Sequence, residues 1–167
     1  VGIGAYCVVI SQYYGLFNGW VHVLMALGTC GVLGLVIGFL ALRTSGIYFI
    51  MITLAFAQML FFLFVSLEQF GGDDGMSIDR AEFMPIDLWD PLRLYYLIWT
   101  SLTLVSILLM FVVGSRFGVV LRAIKDNESR VEAMGLAPLQ FKITGYLISA
   151  MICGLAGALF ASWQEYV

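Results

Sequence analysis

The feature that most constrains this chain is a set of long apolar runs that carry almost no charge. Four runs have between 21 and 23 residues each: 20–42, 47–67, 94–114 and 141–163. A helix needs about 20 apolar residues to cross the hydrocarbon of a bilayer, where the backbone must satisfy its own hydrogen bonds. A shorter apolar run, 1–14, precedes them. The sequence therefore predicts an all-α, polytopic transmembrane helix bundle surrounded by membrane lipid.

Composition excludes an ordinary soluble domain. The 167 residues are 62% hydrophobic and 11% charged, whereas soluble domains carry about 25% charged residues. A soluble fold of this size has too little interior to bury so much apolar surface. The net charge of −3 does not indicate the basic surface that binds nucleic acid. Because the chain begins at Val1 and stops soon after an apolar run, we expect it to be a fragment of a longer protein.

The connections between the runs differ in charge, which predicts their sides of the membrane. The connection 68–93 has seven acidic and two basic residues, whereas the stretch 115–142 has five basic and three acidic residues. Loops rich in Lys and Arg remain on the cytoplasmic side. We therefore predict that 68–93 is an outer loop and that 115–140 is a cytoplasmic segment. His22, close to the start of its run, is expected to be a water-exposed residue at the outer end.

Small residues recur at intervals of four in two of the runs. Gly34 and Gly38 form a GxxxG pair, and Gly154 and Ala158 repeat the spacing in the last run. Such stripes let membrane helices approach closely, so we predict that these four are helix-packing residues. The pattern fits ordinary bundle packing as well as a close-packed transport core. The three cysteines, Cys7, Cys30 and Cys153, are also predicted to act as small packing residues and not as metal ligands or disulfide partners.

Thr53 and Gln58 are the most polar residues of the run 47–67. A polar side chain in mid-membrane needs a hydrogen-bond partner and often faces the bundle interior or a water-filled path. Both residues are therefore candidates for a translocation path, although either could simply join neighbouring helices. The membrane runs contain no Asp or Glu, so the usual carrier of a proton-coupled mechanism is lacking.

The charged segment 115–140 has the pattern of two short helices that lie along the membrane surface. Phe117, Leu121 and Ile124 form one apolar stripe at helical spacing. A break between the two helices is predicted at 126–129. An ordered connection of this kind fits a docking surface for a cytosolic partner, and a solvated amphipathic linker is the alternative.

Local signals mark the ends of the second short helix. Ser129, followed three residues later by Glu132, predicts a capping box. Gly135 is placed to end the helix, and Pro138 follows shortly afterwards. The second helix is therefore expected to begin near Ser129 and to end before Gly135.

The sequence contains no catalytic signature. It lacks the GxxxxGKS/T phosphate loop, the HExxH zinc motif and the GxSxG nucleophile elbow. The stretch 71–75 lacks the alternating acidic ligands of a calcium loop and is better explained as a tight turn. No enzyme activity, catalytic residue, metal or cofactor is predicted.

Several stretches, in the same order along the chain, carry a resemblance to a known family. They include the stretch from Gly46 to Gln58, at the start of the run 47–67, and the stretch from Gly154 to Leu159, in the run 141–163. Together they resemble the LivM-type permeases of branched-chain amino acid ABC importers, over nearly the whole chain. The full set of stretches is 42–58, 71–76, 117–128, 132–135 and 154–159. The resemblance implies an ABC importer permease fold and a multi-pass protein of the bacterial plasma (inner) membrane.

The resemblance also implies partners and a role for the cytoplasmic segment. Such permeases work with a second, LivH-like permease subunit, two cytoplasmic ATPase subunits and an extracytoplasmic solute-binding protein. ATP would be hydrolysed in the partner chains, and the segment 115–140 would receive their motion. One departure is that Gly135 follows Glu132 by three residues, where the common coupling motif has six. The residues expected to couple to the ATPase are Arg122, Ala123, Glu128, Glu132, Ala133 and Gly135.

Alternatives remain open at this point. The solute could be a branched-chain amino acid, but urea and short amides use similar permeases. An ion-gradient-driven secondary transporter would instead show membrane-embedded acids or broken helices near a midplane site. A structural or assembly subunit would account for the small-residue packing and leave the charged segment without a role.

Overall fold

The computed structural model describes residues 1–13, 18–44, 46–66 and 91–164. Within these ranges the chain forms seven α-helices, and the all-α prediction is confirmed. The predicted turn at 71–75, with most of the predicted outer loop, lies outside the described residues. The helices are α1 (Gly2–Tyr13), α2 (Gly19–Ala41), α3 (Ile47–Val65), α4 (Pro91–Gly114), α5 (Arg116–Asp126), α6 (Glu128–Ala133) and α7 (Pro138–Gln164).

In the part of the chain that the structure describes, four helices are long and apolar enough to cross a bilayer, namely Gly19–Ala41, Ile47–Val65, Leu92–Gly114 and Pro138–Trp163. The shortest, α3, has 19 residues and is about 28 Å long, close to the hydrocarbon thickness of about 30 Å. Helix α1 has 12 residues, and its length of about 18 Å covers part of that thickness. The chain is therefore a multi-pass membrane protein in which α5 and α6 are short connecting helices.

Two helices begin three residues earlier than the apolar runs predict. Helix α4 begins at Pro91, where the sequence analysis expected Leu94, and α7 begins at Pro138, where it expected Phe141. Proline is favourable in the first turn of a helix, because that turn does not need its N–H groups for internal hydrogen bonds. The two prolines therefore start these helices outside the apolar runs.

Helices α1, α2 and α7 form the packed centre of the described structure. Helices α2 and α7 run antiparallel, since Gly38 faces Tyr146 and Gly34 faces Ala150 further along the contact. A Cβ atom at Gly34 would lie 2.6 Å from the Cβ of Ala150, so only a residue without a side chain fits there. The side chains buried between these three helices are those of Ala5, Cys7, Val8, Val9, Ala26, Ala158 and Ala161.

Helix α1 approaches α7 closely enough for backbone atoms to touch. A Cβ atom at Gly4 would collide with the carbonyl oxygen of Gly154, and one at Gly157 would collide with the carbonyl oxygen of Val1. Gly154 also faces α2, where a Cβ would lie 2.7 Å from the Sγ atom of Cys30. The four residues predicted for helix packing thus all lie at the contacts of α7 with α1 and α2.

His22 corrects one expectation. Its side chain is only 1% exposed, whereas the sequence analysis placed it in water at the outer end of α2. Ala26, one helical turn further along, is also fully buried. Residues four apart share a face of a helix, so His22 lies on the side of α2 that packs inward.

Helices α3 and α4 are attached to this centre far more loosely. Among the residues that the structure describes, α3 has no buried side chain. Helix α4 touches the rest of the membrane bundle near its start, where the buried Leu94 packs against Val23 of α2. The fold is therefore a tight group of three helices with two peripheral spans.

The close approach of α2 and α7 makes a testable prediction. We expect Gly34→Leu to lower the melting temperature of the full-length protein in detergent micelles, because overpacking costs about 1–3 kcal/mol. Gly28→Leu on the same helix is the matched control, since no described atom lies within 4 Å of a Cβ atom there. Equal melting temperatures for the two variants would contradict the packing described.

Candidate functional site

A cavity of about 350 Å³ lies between α3 and the packed group of helices. We call it the α3 cavity. Its walls include Tyr6 of α1, Ile37 of α2, Thr53 and Phe64 of α3, and Tyr146 of α7. Most of the lining residues are aliphatic or aromatic, and the lining residues whose side chains carry a hydroxyl group are Thr53, Tyr6 and Tyr146. Small-molecule sites commonly combine such apolar walls with a few polar groups.

The structure separates the two polar residues that the sequence proposed for a path. Thr53 lines the α3 cavity, and its hydroxyl donates to the carbonyl oxygens of Phe49 and Ile50 at 3.0 and 2.9 Å. Gln58 is exposed on α3 and does not belong to the described lining of the cavity. Their spacing of five residues turns them to different sides of the helix.

An aromatic contact between α1 and α3 lies at the edge of the α3 cavity. The rings of Tyr6 and Phe64 stack with centroids 4.7 Å apart and planes 24° from parallel. Sequence reasoning missed this pair, because the two residues lie far apart in the chain and neither is unusual in a membrane helix. The stack is one of the few contacts that hold α3 against the rest of the bundle.

A second, smaller cavity of about 240 Å³ adjoins the first. The two cavities share Ile37 and Tyr146, and the second extends to Gly34 of α2 and to Ser149 and Cys153 of α7. Gly34 and Ala150, whose close approach joins α2 to α7, both line this space. The two cavities therefore meet at residues of α1, α2 and α7, since Val1 and Ile3 also line both.

One end of the bundle collects basic residues. Gly38 faces Tyr146, so the end of α2 lies beside the start of α7. Arg43, which follows α2, therefore lies at the same end as α5 and α6. We call this the basic end; its basic residues are Arg43, Arg116, Arg122, Lys125, Arg130 and Lys142.

The opposite end carries exposed aromatic residues. Trp20 lies in the first turn of α2, Tyr95 lies near the start of α4, and Trp163 lies near the end of α7. Each of these side chains is more than half exposed. Trp and Tyr are enriched at membrane–water interfaces, so this end has the character of an interfacial belt.

Helix α5 is fixed closely against the end of α4. A Cβ atom at Gly118 would collide with the carbonyl oxygen of Val113, so the backbones of the two helices touch at this corner. The guanidinium of Arg122 donates a hydrogen bond to the same carbonyl oxygen at 3.1 Å, and Ser115 Oγ donates to the carbonyl oxygen of Val112 at 2.6 Å. These bonds satisfy carbonyl groups that the end of a helix leaves without internal partners.

The predicted apolar stripe of α5 packs against α7. The rings of Phe117 and Phe141 lie 5.8 Å apart, and Leu121 lies within van der Waals distance of a Cβ built at Gly145. Ile124, the third member of the stripe, is buried. The helical spacing of these three residues thus correctly indicated the inward face of α5.

Helix α6 begins at a different cap from the one predicted. The N-cap is Asn127, whose side-chain oxygen accepts a hydrogen bond from the backbone N–H of Arg130 at 3.1 Å. Ser129, predicted as the cap, lies inside the helix. Asn is as favourable as Ser at an N-cap, and the extended backbone of Asn127 (φ −160°, ψ 102°) places it where the helix begins. The predicted break at 126–129 is confirmed by this residue.

Helix α6 ends at Ala133, before Gly135 as predicted. Gly135 has φ +81°, its N–H donates to the carbonyl oxygen of Glu132, and the N–H of Leu136 donates to that of Val131. These two bonds form a Schellman motif, in which glycine supplies the left-handed residue. Val131 itself is 1% exposed and anchors the helix.

The six residues proposed for coupling occupy different positions in this segment. Arg122 is bonded back to α4, and Ala123 is half-buried. Glu128 forms an ion pair with Lys142 at 2.6 Å. The exposed remainder consists of Glu132, Ala133 and Gly135.

Sequence reasoning missed three residues that shape this segment: Gly118, Lys142 and the exposed Met134. A charge of opposite sign 14 residues from Glu128 was the available signal for Lys142. The other two residues give no distinctive pattern in a single sequence.

The family model described as "Branched-chain amino acid transport system / permease component" matches residues 1–167. Two relatives are the high-affinity branched-chain amino acid transport system permease proteins LivM of Salmonella typhimurium and Escherichia coli, each 29% identical over 192 aligned positions. The alignments cover 99% of this chain and 45% of each relative, so the chain spans a little less than half their length.

No solved structure gives a significant match. The family assignment therefore rests on the sequence match, which extends over all 167 residues. The membrane-spanning helices of the fold agree with a permease. The chain belongs to the family of branched-chain amino acid transport system permease components.

Proposed function

We propose that this chain is part of the permease subunit of an ATP-driven importer for branched-chain amino acids in the bacterial inner membrane. The observation that carries the proposal is the match of the permease family to residues 1–167. The two relatives named LivM, each aligned with 99% of the chain, favour branched-chain amino acids over urea or short amides.

The proposed assembly has the partners typical of such importers. A second, LivH-like permease would complete the pathway, and an extracytoplasmic solute-binding protein would deliver the solute. Two ATPase subunits would bind at the basic end, which we place in the cytoplasm because loops rich in Lys and Arg remain there. The chain itself would carry no catalytic residue, since ATP hydrolysis belongs to the ATPase subunits.

The segment formed by α5 and α6 is the proposed receiver of the ATPase motion. Its α5 half contacts both α4 and α7, through Gly118 and through the Phe117–Phe141 ring pair. Its α6 half presents Glu132, Ala133 and Met134 to the outside. A push on α6 would therefore reach two membrane spans at once. Direction arises because each state of the cycle binds its partners with a different free energy.

The α3 cavity is the proposed part of the solute path within this chain. Its apolar walls suit a branched aliphatic side chain, and the hydroxyls of Thr53 and Tyr146 offer hydrogen bonds to polar groups. Helix α3 buries no side chain in the described structure. Movement of α3 would therefore cost little packing and could open or close the cavity.

The proposed function predicts ATP-dependent uptake by the assembled complex. The full-length protein should co-purify with ATPase subunits in mild detergent. In proteoliposomes with the solute-binding protein, leucine uptake should require ATP and should persist when an ionophore collapses ion gradients. Uptake that does not depend on ATP and that is abolished by the ionophore would contradict the proposal and favour a secondary transporter.

The α3 cavity predicts different effects for two tryptophan substitutions on the same helix. Thr53→Trp should abolish most leucine uptake, because the indole would fill a cavity that Thr53 lines. Gln58→Trp should leave uptake close to wild type, since Gln58 faces outward. Uptake by both variants is measured at equal amounts of assembled complex, and equal loss in both would refute the assignment of the path.

The α4–α5 corner predicts a strong effect of a single methyl group. Gly118→Ala should lower both leucine uptake and the melting temperature, because the new Cβ meets the Val113 carbonyl oxygen and overpacking costs about 1–3 kcal/mol. Gly114→Ala is the control, with no described atom within 4 Å of its Cβ. The corner is unimportant for transport if the two variants take up leucine equally well.

A further inference from the structure

The ion pair between Glu128 and Lys142 joins α6 directly to a membrane span. Lys142 Nζ donates to Glu128 Oε1 at 2.6 Å. Glu128 is the first residue of α6, and Lys142 lies in the second turn of α7. The bond therefore connects the proposed ATPase-binding segment with the helix that packs against both α1 and α2.

The ion pair lies next to the break between α5 and α6, so it can affect how α6 moves relative to the other helices. The extended residue Asn127 separates α5 from α6, so the helical hydrogen bonds do not continue from one to the other. On the other side of α6, residues 134–137 form a turn before α7 begins. Apart from the backbone, the side chains that hold α6 to the described bundle include the buried Val131 and the Glu128–Lys142 pair.

The pair is too exposed to be important for folding. The side chains of Lys142 and Glu128 are 28% and 48% exposed, and ion pairs near the surface contribute little to stability. The helices that the pair joins are more informative than its strength, because it connects the start of α6 to α7 and not to the neighbouring α5. A weak bond in this position can still decide whether two elements move together.

We propose that the Glu128–Lys142 ion pair makes α6 and α7 move as one unit. Glu128 and Lys142 are then positioning residues for the coupling of ATP hydrolysis to solute movement. The inference rests on the proposed function and adds a route to it. Motion received by α6 passes through this pair to α7, and from α7 to the glycine contacts with α1 and α2. Without the pair, α6 turns about Asn127 and part of the motion is lost.

The test compares transport with ATP hydrolysis in the same proteoliposomes, which contain the full-length permease, its partners and the binding protein. Glu128→Gln and Lys142→Gln should each reduce the leucine transported per ATP hydrolysed by about two- to fivefold, the range that a surface ion pair allows. Glu128→Lys, which places two positive charges together, should reduce it further. The double variant Glu128→Lys with Lys142→Glu should restore the ratio.

A control removes a nearby negative charge without touching the pair. Asp126→Asn changes an exposed residue of α5 that is neither one of the basic residues of the basic end nor one of the six residues proposed for coupling, and it should keep the wild-type ratio. If the charge-exchanged double variant assembles normally but stays uncoupled, the link is overturned. The same holds if the single variants keep the wild-type ratio, or if they lose uptake and ATP hydrolysis in parallel. A wild-type complex without ATP-dependent uptake would instead refute the proposed function itself.

A second measurement decides the matter if the single variants fail to assemble. Glu128→Cys and Lys142→Cys are introduced together into a cysteine-free background of the full-length permease, and the two thiols are joined after assembly by a short bifunctional reagent. Because α6 and α7 are proposed to move together, the cross-linked complex should retain most of its uptake. Loss of uptake on cross-linking, with recovery when a cleavable reagent is reduced, would show that the two helices must separate and would overturn the proposal.

Discussion

The contact of α7 with α1 and α2 through small residues is the interaction on which the rest of the structure depends. Lipid gives membrane helices no hydrophobic reason to associate, so close packing has to supply the attraction. Gly4, Gly34 and Gly154 have no side chain, and the neighbouring helix therefore packs directly against their backbone. The three-helix group that results is the frame against which the α3 cavity and the short helices α5 and α6 are arranged.

The periphery of the bundle follows different physics from its centre. Helices α3 and α4 are held in the membrane by their own hydropathy, and few side chains tie them to the frame. At the basic end, by contrast, hydrogen bonds, a ring pair and an ion pair connect α5 and α6 to α4 and α7. The chain therefore combines a tightly packed centre with a loosely packed helix beside the cavity and a pair of short helices held to α4 and α7 by polar and aromatic contacts.

Much of this architecture could be predicted from the sequence, for reasons that particular residues make clear. The long apolar runs permit only helices in lipid, and the spacing of Phe117, Leu121 and Ile124 indicated the inward face of α5. The cap at Asn127 was missed because Asn and Ser are nearly equivalent at that position. Contacts such as Tyr6–Phe64 and Glu128–Lys142 depend on which helices lie side by side, and no periodicity in a single sequence contains that information.

The caps of α6 have a consequence for how such a segment changes over evolutionary time. A helix of six residues is too short to be stable by itself in water, and its shape is set by Asn127, Val131 and Gly135. Glu132 and Met134 take part in the C-terminal cap through backbone atoms, and the side chains of Glu132, Ala133 and Met134 are exposed. Substitutions at these side chains can therefore change the exposed surface of α6 while its backbone keeps its form, so that this surface and the helix that carries it are free to diverge independently.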